Sequence, residues 1–191
     1  MAKRTTKKPA VLSLAAVRRE LAEIGRVGQA FVDGDLVHEA YFPHSRTFMC
    51  GDDMDFNPAA FLPLKMTMLR LERLSRVKCS TTLWRRRPDM PDRGEALIYG
   101  SYSSPHGGDK PAARGYQPKP MFPELARAFL RGLPAWKVTR DWRAGSMSER
   151  GMGVRIAGVK QPTFVEHFVP VKDSMGEIAA VLEVFAATDG K

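Results

Sequence analysis

Cysteine is nearly absent: the 191 residues contain two, Cys50 and Cys79. Two thiols cannot build a disulfide framework. They fall in different expected elements with no metal-ligand spacing, which excludes a zinc ribbon or a disulfide-rich scaffold. Both read as reduced thiols of a cytoplasmic protein, with one disulfide as the alternative if the chain is exported. Long apolar runs are missing too. Arg18, Arg19, Glu20 and Glu23 interrupt the apolar positions after the basic start, so no secretory signal is read there. No transmembrane run is read anywhere. Three further absences concern catalysis: no Gly-rich phosphate loop followed by Lys-Ser/Thr, no HExxH and no GxSxG. Gly151-Met152-Gly153 lacks the third glycine of a dinucleotide fingerprint. No internal repeat or heptad array is present.

What is there is an ordinary globular composition, 43 % hydrophobic and 27 % charged, enough for one core and against wholesale disorder. The net charge is +9. Lys3, Arg4, Lys7 and Lys8 supply four of those charges within a basic tail, residues 1–10, and removing them leaves about +5 on the rest. Residues 11–190 read as a single domain, helical over 11–76 and sheet over 77–187.

An amphipathic helix is expected from Val11 to about Val32, with Leu14, Val17, Leu21, Ile24, Gly28 and Phe31 at helical spacing and Gly34 as its stop. The stripe reads as a core face, or as the seam of a homodimer. A short helix is expected over Asp35–Tyr41. Asn57-Pro58 reads as cap and first residue of a helix running to about Arg76. Its stripe of Phe61, Leu64, Met68, Leu71 and Leu74, with Leu62, Met66 and Leu69 beside it, implies burial against two neighbours. Arg70, Arg73 and Arg76 suit its C-terminal dipole. Val77–Arg86 and Glu95–Ser103 read as strands joined by a turn over Pro88–Gly94, followed by a long polar loop over Ser104–Pro120. A short helix is expected over Pro123–Gly132 and a strand over Ala135–Arg143. Val154–Val159 is a further strand or a loop. Phe164–Val171 and Glu177–Ala187 form a closing hairpin, turned by Asp173, Ser174 and Gly176. Its second strand, with Ile178, Val181, Leu182, Val184 and Phe185, belongs in a sheet centre.

Candidate chemistry is sparse. Asp52, Asp53 and Asp55 lack the Glu that a calcium loop needs and read as a polar turn. His38 and His44 lie across Pro43 and read as surface groups rather than a metal pair. No third group orients His44 toward Cys50 as a thiol nucleophile. Trp84, Arg85, Arg86 and Arg87 mix an aromatic ring with cations. With Lys3, Arg4, Lys7 and Lys8 they form the alternative of a nucleic-acid surface, in which rings stack on bases and cations hold phosphates. The same composition suits a pocket for an anionic ligand. His167 shares a strand face with Val165, Val169 and Val171. Tyr99 and Trp142 are the rings expected to meet it.

The order of elements makes an α+β domain with a single antiparallel sheet of about five strands flanked by N-terminal helices. The stretch FVPVKDSMGEIAAVLEV, Phe168–Val184, resembles the closing hairpin of PAS/Cache-like (profilin-like) sensor domains. There an apolar strand ends in a Pro-Val pair, turns through Asp and Gly, and returns rich in Val and Leu. The resemblance implies a non-enzymatic ligand-sensing or signalling domain with a small molecule held between the sheet and its covering elements. Tyr99, Tyr102, Arg140, Trp142 and His167 are the candidate lining. Because cations outnumber carboxylates, a small anion such as a carboxylate is the expected ligand, with haem a further candidate and no bound cofactor required. No catalytic residue and no metal site is expected.

Overall fold

The structure is a computed structural model that describes residues 12–40, 57–87, 90–100, 119–140 and 163–188. Helix α1 spans Leu14–Phe31, α2 Gly34–Ala40, α3 Pro58–Leu74 and α4 Pro123–Arg131. The strands are β1 Cys79–Arg87, β2 Met90–Tyr99, β3 Lys119–Pro120, β4 Ala135–Thr139, β5 Thr163–Lys172 and β6 Ile178–Thr188. They form one antiparallel sheet in the order β3-β2-β1-β6-β5-β4. This is the α+β class expected, with the two-residue β3 added on the outer edge of β2. β6 lies at the sheet centre, as its two-sided apolar pattern requires.

α1, α2 and α3 cover one face of the sheet and α4 the other. On the first face Val17, Leu21 and Ile24 of α1 meet Val165, Leu182 and Val184, while Phe61, Leu64, Met68 and Leu71 of α3 belong to the same core as Leu83 and Ile98. Each such aliphatic side chain contributes about 1.5–3 kcal/mol on full burial. The stripe of α1 is therefore packed inside the chain, as the core-face reading expects. Phe31 is the exception, 69 % exposed. On α3 the second apolar row also departs from expectation: Leu62 and Met66 are exposed, while the buried row packs against α1, α2 and the sheet.

Capping follows the sequence. Ser13 Oγ accepts from the Ala16 amide at 3.3 Å, and Asn57 Oδ1 from the Ala59 amide at 3.1 Å. Gly132 ends α4 at φ 62. Gly34 does not stop α1. The helix already ends at Phe31, and Gly34 opens α2, capped by Asp33 Oδ1, which accepts from the Asp35 and Leu36 amides. Glycine is needed at position 34 for close approach: a Cβ there would lie 2.3 Å from the Lys172 carbonyl oxygen. That oxygen is backbone and cannot swing aside. Gly34→Ala is expected to destabilise the protein by about 1–3 kcal/mol, as overpacking does, despite alanine's better helix propensity. Urea denaturation reads the change, and a neutral or stabilising result would show that α2 is not wedged against the hairpin.

The closing turn forms as read. Asp173 Oδ1 accepts from the Met175 and Glu177 amides, and Gly176 takes φ 85. The turn docks on α2, where His38 Nε2 meets Asp173 Oδ2 at 3.1 Å and Asp35 Oδ1 accepts from the Ser174 amide. Burial acts to raise the Asp173 carboxyl, but the hydrogen bonds from the Glu177 and Met175 amides and His38 outweigh it and hold it below the ordinary value. β2 starts at Met90 rather than Glu95, so most of the expected Pro88–Gly94 turn is strand. The register shifts between Arg86 and Arg87 absorb the extra residues. The Val154–Val159 run, the acidic group Asp52, Asp53 and Asp55, and His44 and Cys50 lie outside the described residues.

Candidate functional site on the α4 face of the sheet

Side chains alternate along a strand, so pairing register decides which residues meet. His167 on β5 stands opposite Trp136 on β4 and Val184 on β6. It points toward α1: Nδ1 donates to the Leu21 carbonyl at 3.3 Å, and the indole of Trp136 stacks on the imidazole at 3.9 Å and 9°. The Arg18 guanidinium lies 4.9 Å from the Trp136 ring. Burial pushes His167 down to about 4, opposed by the Leu21 carbonyl and aided by Arg18. It is a neutral core histidine.

Tyr99 stands opposite Thr82 on β1, and Thr82 stands opposite Glu183 on β6. Those three side chains share the α4 face, so Tyr99 and His167 are on opposite sides of the sheet and the expected meeting does not occur. The ring that meets His167 is Trp136, not Trp142, which with Tyr102 lies outside the described residues. Arg140 follows the end of β4 and is exposed.

The nucleic-acid surface is corrected at its centre. β1 is flanked by β2 and β6, so it offers no free edge. Trp84 and Arg85 are each 9 % exposed. Arg85 Nε donates to the Glu95 carboxylate, which is fully buried. Arg86 is exposed; the side chain of Arg87 and residues Lys3, Arg4, Lys7 and Lys8 lie outside the described set.

The α4 face instead holds a buried polar cluster that the sequence reading passed over. Glu183 and Glu166 are 0 % and 1 % exposed. Glu183 faces Phe168, two residues along β5 from Glu166, so the two carboxyl groups are diagonal neighbours. Glu166 and Glu183 interact with each other across the two strands. Trp84 Nε1 donates to Glu183 Oε2 at 2.6 Å, and Lys137 Nζ lies 2.9 Å from Glu166 Oε2. Burial raises the Glu183 carboxyl, and the hydrogen bonds with Glu166 and Trp84 and the charge of Lys137 oppose this incompletely. Thr82 is fully buried beside Glu183 and, with the other polar neighbours, works to hold the Glu183 carboxyl down against burial. Phe122 packs edge-on to Trp84 at 6.2 Å and to Phe168 at 5.2 Å, and Lys137 Nζ lies 5.0 Å over its ring.

A signal for this cluster was present in the sequence. Glu166 and Glu183 interrupt strands that are mostly apolar on both faces, and a carboxylate buried there is shut off from water. Cys79 is not part of the site: burial pushes its thiol up to about 11, a poor nucleophile. No group of three or more metal-ligating side chains occurs among the described residues, and no described helix is long and apolar enough to cross a membrane. Comparison with protein-family models, with curated proteins and with solved structures gave no match.

Proposed function

We propose that the chain is a non-enzymatic ligand-binding domain of the sensor type that its closing hairpin resembles. Its small-molecule ligand would sit against the α4 face of the sheet, over Thr82, Glu166 and Glu183, with Tyr99 in the same row. The observation that carries this reading is the buried cluster itself. Burying charged groups is expensive, and replacing such a cluster with apolar side chains of similar volume is often neutral or stabilising. Perturbed, desolvated carboxyl groups concentrate at functional sites. Cys79 and His167 belong to the opposite face of the sheet. The expected preference for an anion loses support at this position, where two carboxyl groups meet one ammonium.

A ligand that binds only the folded state at a hundred times its Kd adds about 2.7 kcal/mol, which raises Tm by about 5–10 °C for a chain of this size. A thermal-shift panel of small amines, carboxylates, amino acids and haem is expected to give such a shift with one chemical class, and Glu183→Gln is expected to abolish it. A flat response across the whole panel removes the ligand-binding reading.

A further inference from the structure

We propose that the outer edge of β4 and the cleft beside it bind an acidic peptide in extended form, which adds to the sheet as a further strand. This goes beyond the ligand reading above and does not rest on it. Among the described strands β4 pairs with β5 alone, so its other edge faces no described strand. The two ends of the sheet differ. β3 is two residues long and ends in Pro120, which has no N–H to offer a new strand. β4 runs from Ala135 to Thr139 without proline, and its pairing with β5 shows no register shift, so no bulge turns its edge away. A cleft of about 420 Å³ opens beside β4, between Pro123, Glu124 and Arg127 of α4 and Pro134, Ala135 and Trp136. An added strand sends alternate side chains to opposite faces of the sheet. One set would enter this cleft under α4. The other would lie beside Trp136 and Val138 on the α1 face, where Val138 is 38 % exposed. Main-chain pairing gives such strand addition its affinity, and pockets for alternate side chains give it specificity.

Charge selects the occupant. Arg127 lines the cleft, Arg140 directly follows β4, and the Arg18 guanidinium lies over the Trp136 ring. Arg127 and Arg140 are exposed, and neither has an ion-pair or hydrogen-bond partner among the described residues. Glu124 is the one carboxylate that lines the cleft. Lys137, the cation within β4 itself, is turned to the α4 face and pairs with Glu166. The edge is therefore cationic on both sides, which attracts a strand carrying Asp or Glu. A second copy of this chain would bring the same arginines against these, on molecules that each carry a net charge of +9, so self-pairing is opposed.

The test is fluorescence anisotropy on the full chain with a labelled synthetic peptide of alternating glutamate and valine. Its controls are a lysine–valine peptide of equal length and an N-methylated counterpart of the glutamate peptide. The glutamate peptide is expected to bind at low salt and to weaken several-fold as salt rises. The lysine peptide should stay silent, and the N-methylated one should bind about tenfold more weakly for its lost main-chain donors. Arg127→Glu and Arg140→Glu are each expected to cut the affinity about tenfold, while the free protein keeps its Tm within a few degrees because both side chains are exposed. Hydrogen exchange places the contact: the outward amides of β4 exchange fast in the free protein and slow down when the peptide is added. Salt-sensitive binding that ignores N-methylation shows charge without strand pairing and overturns the proposal. So does silence of the glutamate peptide at low salt, or binding undiminished in both arginine variants. Outward β4 amides already protected in the free protein overturn it too, whether a second copy or the chain itself protects them. None of these outcomes bears on the ligand of the buried cluster, which the thermal-shift panel tests separately.

Discussion

Replacing Arg85 with methionine is expected to destabilise the fold by about 3–5 kcal/mol, the largest effect of any single change considered. Arg85 and Glu95 are directly paired across β1 and β2, with side chains 10 % and 0 % exposed. Removing the guanidinium takes a hydrogen-bonded cation away from a fully buried carboxylate, which raises the cost of keeping that charge in the core. The double change Arg85→Met with Glu95→Leu removes both charges and is expected to recover most of the loss. Urea denaturation of the two variants measures this. A single-variant loss below about 1 kcal/mol would place the pair in effective contact with water, as surface ion pairs are. The result also bears on nucleic acid, because a residue that holds the sheet together has no free guanidinium for phosphates.

The second large effect is on pH. His167 is 6 % exposed and held neutral, down to about 4 from an ordinary 6.5. Above pH 6.5 it is neutral folded or unfolded and contributes nothing to the pH dependence. As pH falls from 6.5 toward 4 the unfolded chain binds the proton first, so stability drops. The total comes to about 3 kcal/mol. His167→Asn keeps a donor for the Leu21 carbonyl and cannot titrate. Its stability at pH 7 will be lower for loss of the ring stacked on Trp136, but its slope over this window should be flatter than that of the parent chain. Glu183 acts with the opposite sign. Its raised carboxyl favours the fold below the ordinary glutamate value, and that contribution is lost as pH rises through the folded value. Glu183→Gln should therefore gain most over the parent at neutral pH and least in acid. Denaturation curves at pH 7, 5.5 and 4 on the three proteins separate the two groups. Parallel slopes in His167→Asn and the parent would mean that His167 is already protonated, or solvated, in the fold.

The elements of this chain were largely legible because the forces that make them are local. Asn57-Pro58 starts α3, Asp173 and Gly176 turn the closing hairpin, and the 3.6-residue spacing of Val17, Leu21 and Ile24 fixes the buried stripe of α1. The misreadings share one cause. Gly34 looked like a helix stop, yet it is glycine because the Lys172 carbonyl, far along the chain, presses against it. Trp84 and Arg85 looked like an exposed edge, yet β1 acquires β6 as a neighbour and has no edge. Leu62 and Met66 looked buried, yet both are exposed.

The candidate site was less legible than the fold. Alternation says which residues share a face within one strand, but not which strand lies beside it or in what register. Trp84 and Glu183 are 99 residues apart and meet through an indole hydrogen bond. His167 and Glu166 are adjacent in sequence and end on opposite sides of the sheet. By itself the sequence determined the class of fold, the order of its elements and the closing hairpin, since propensity, capping and periodicity act over a few residues. Only the tertiary structure decided that Glu166 and Glu183 share one buried face with Lys137, Trp84 and Thr82. That face is assembled by long-range strand pairing, and no short stretch of chain contains it.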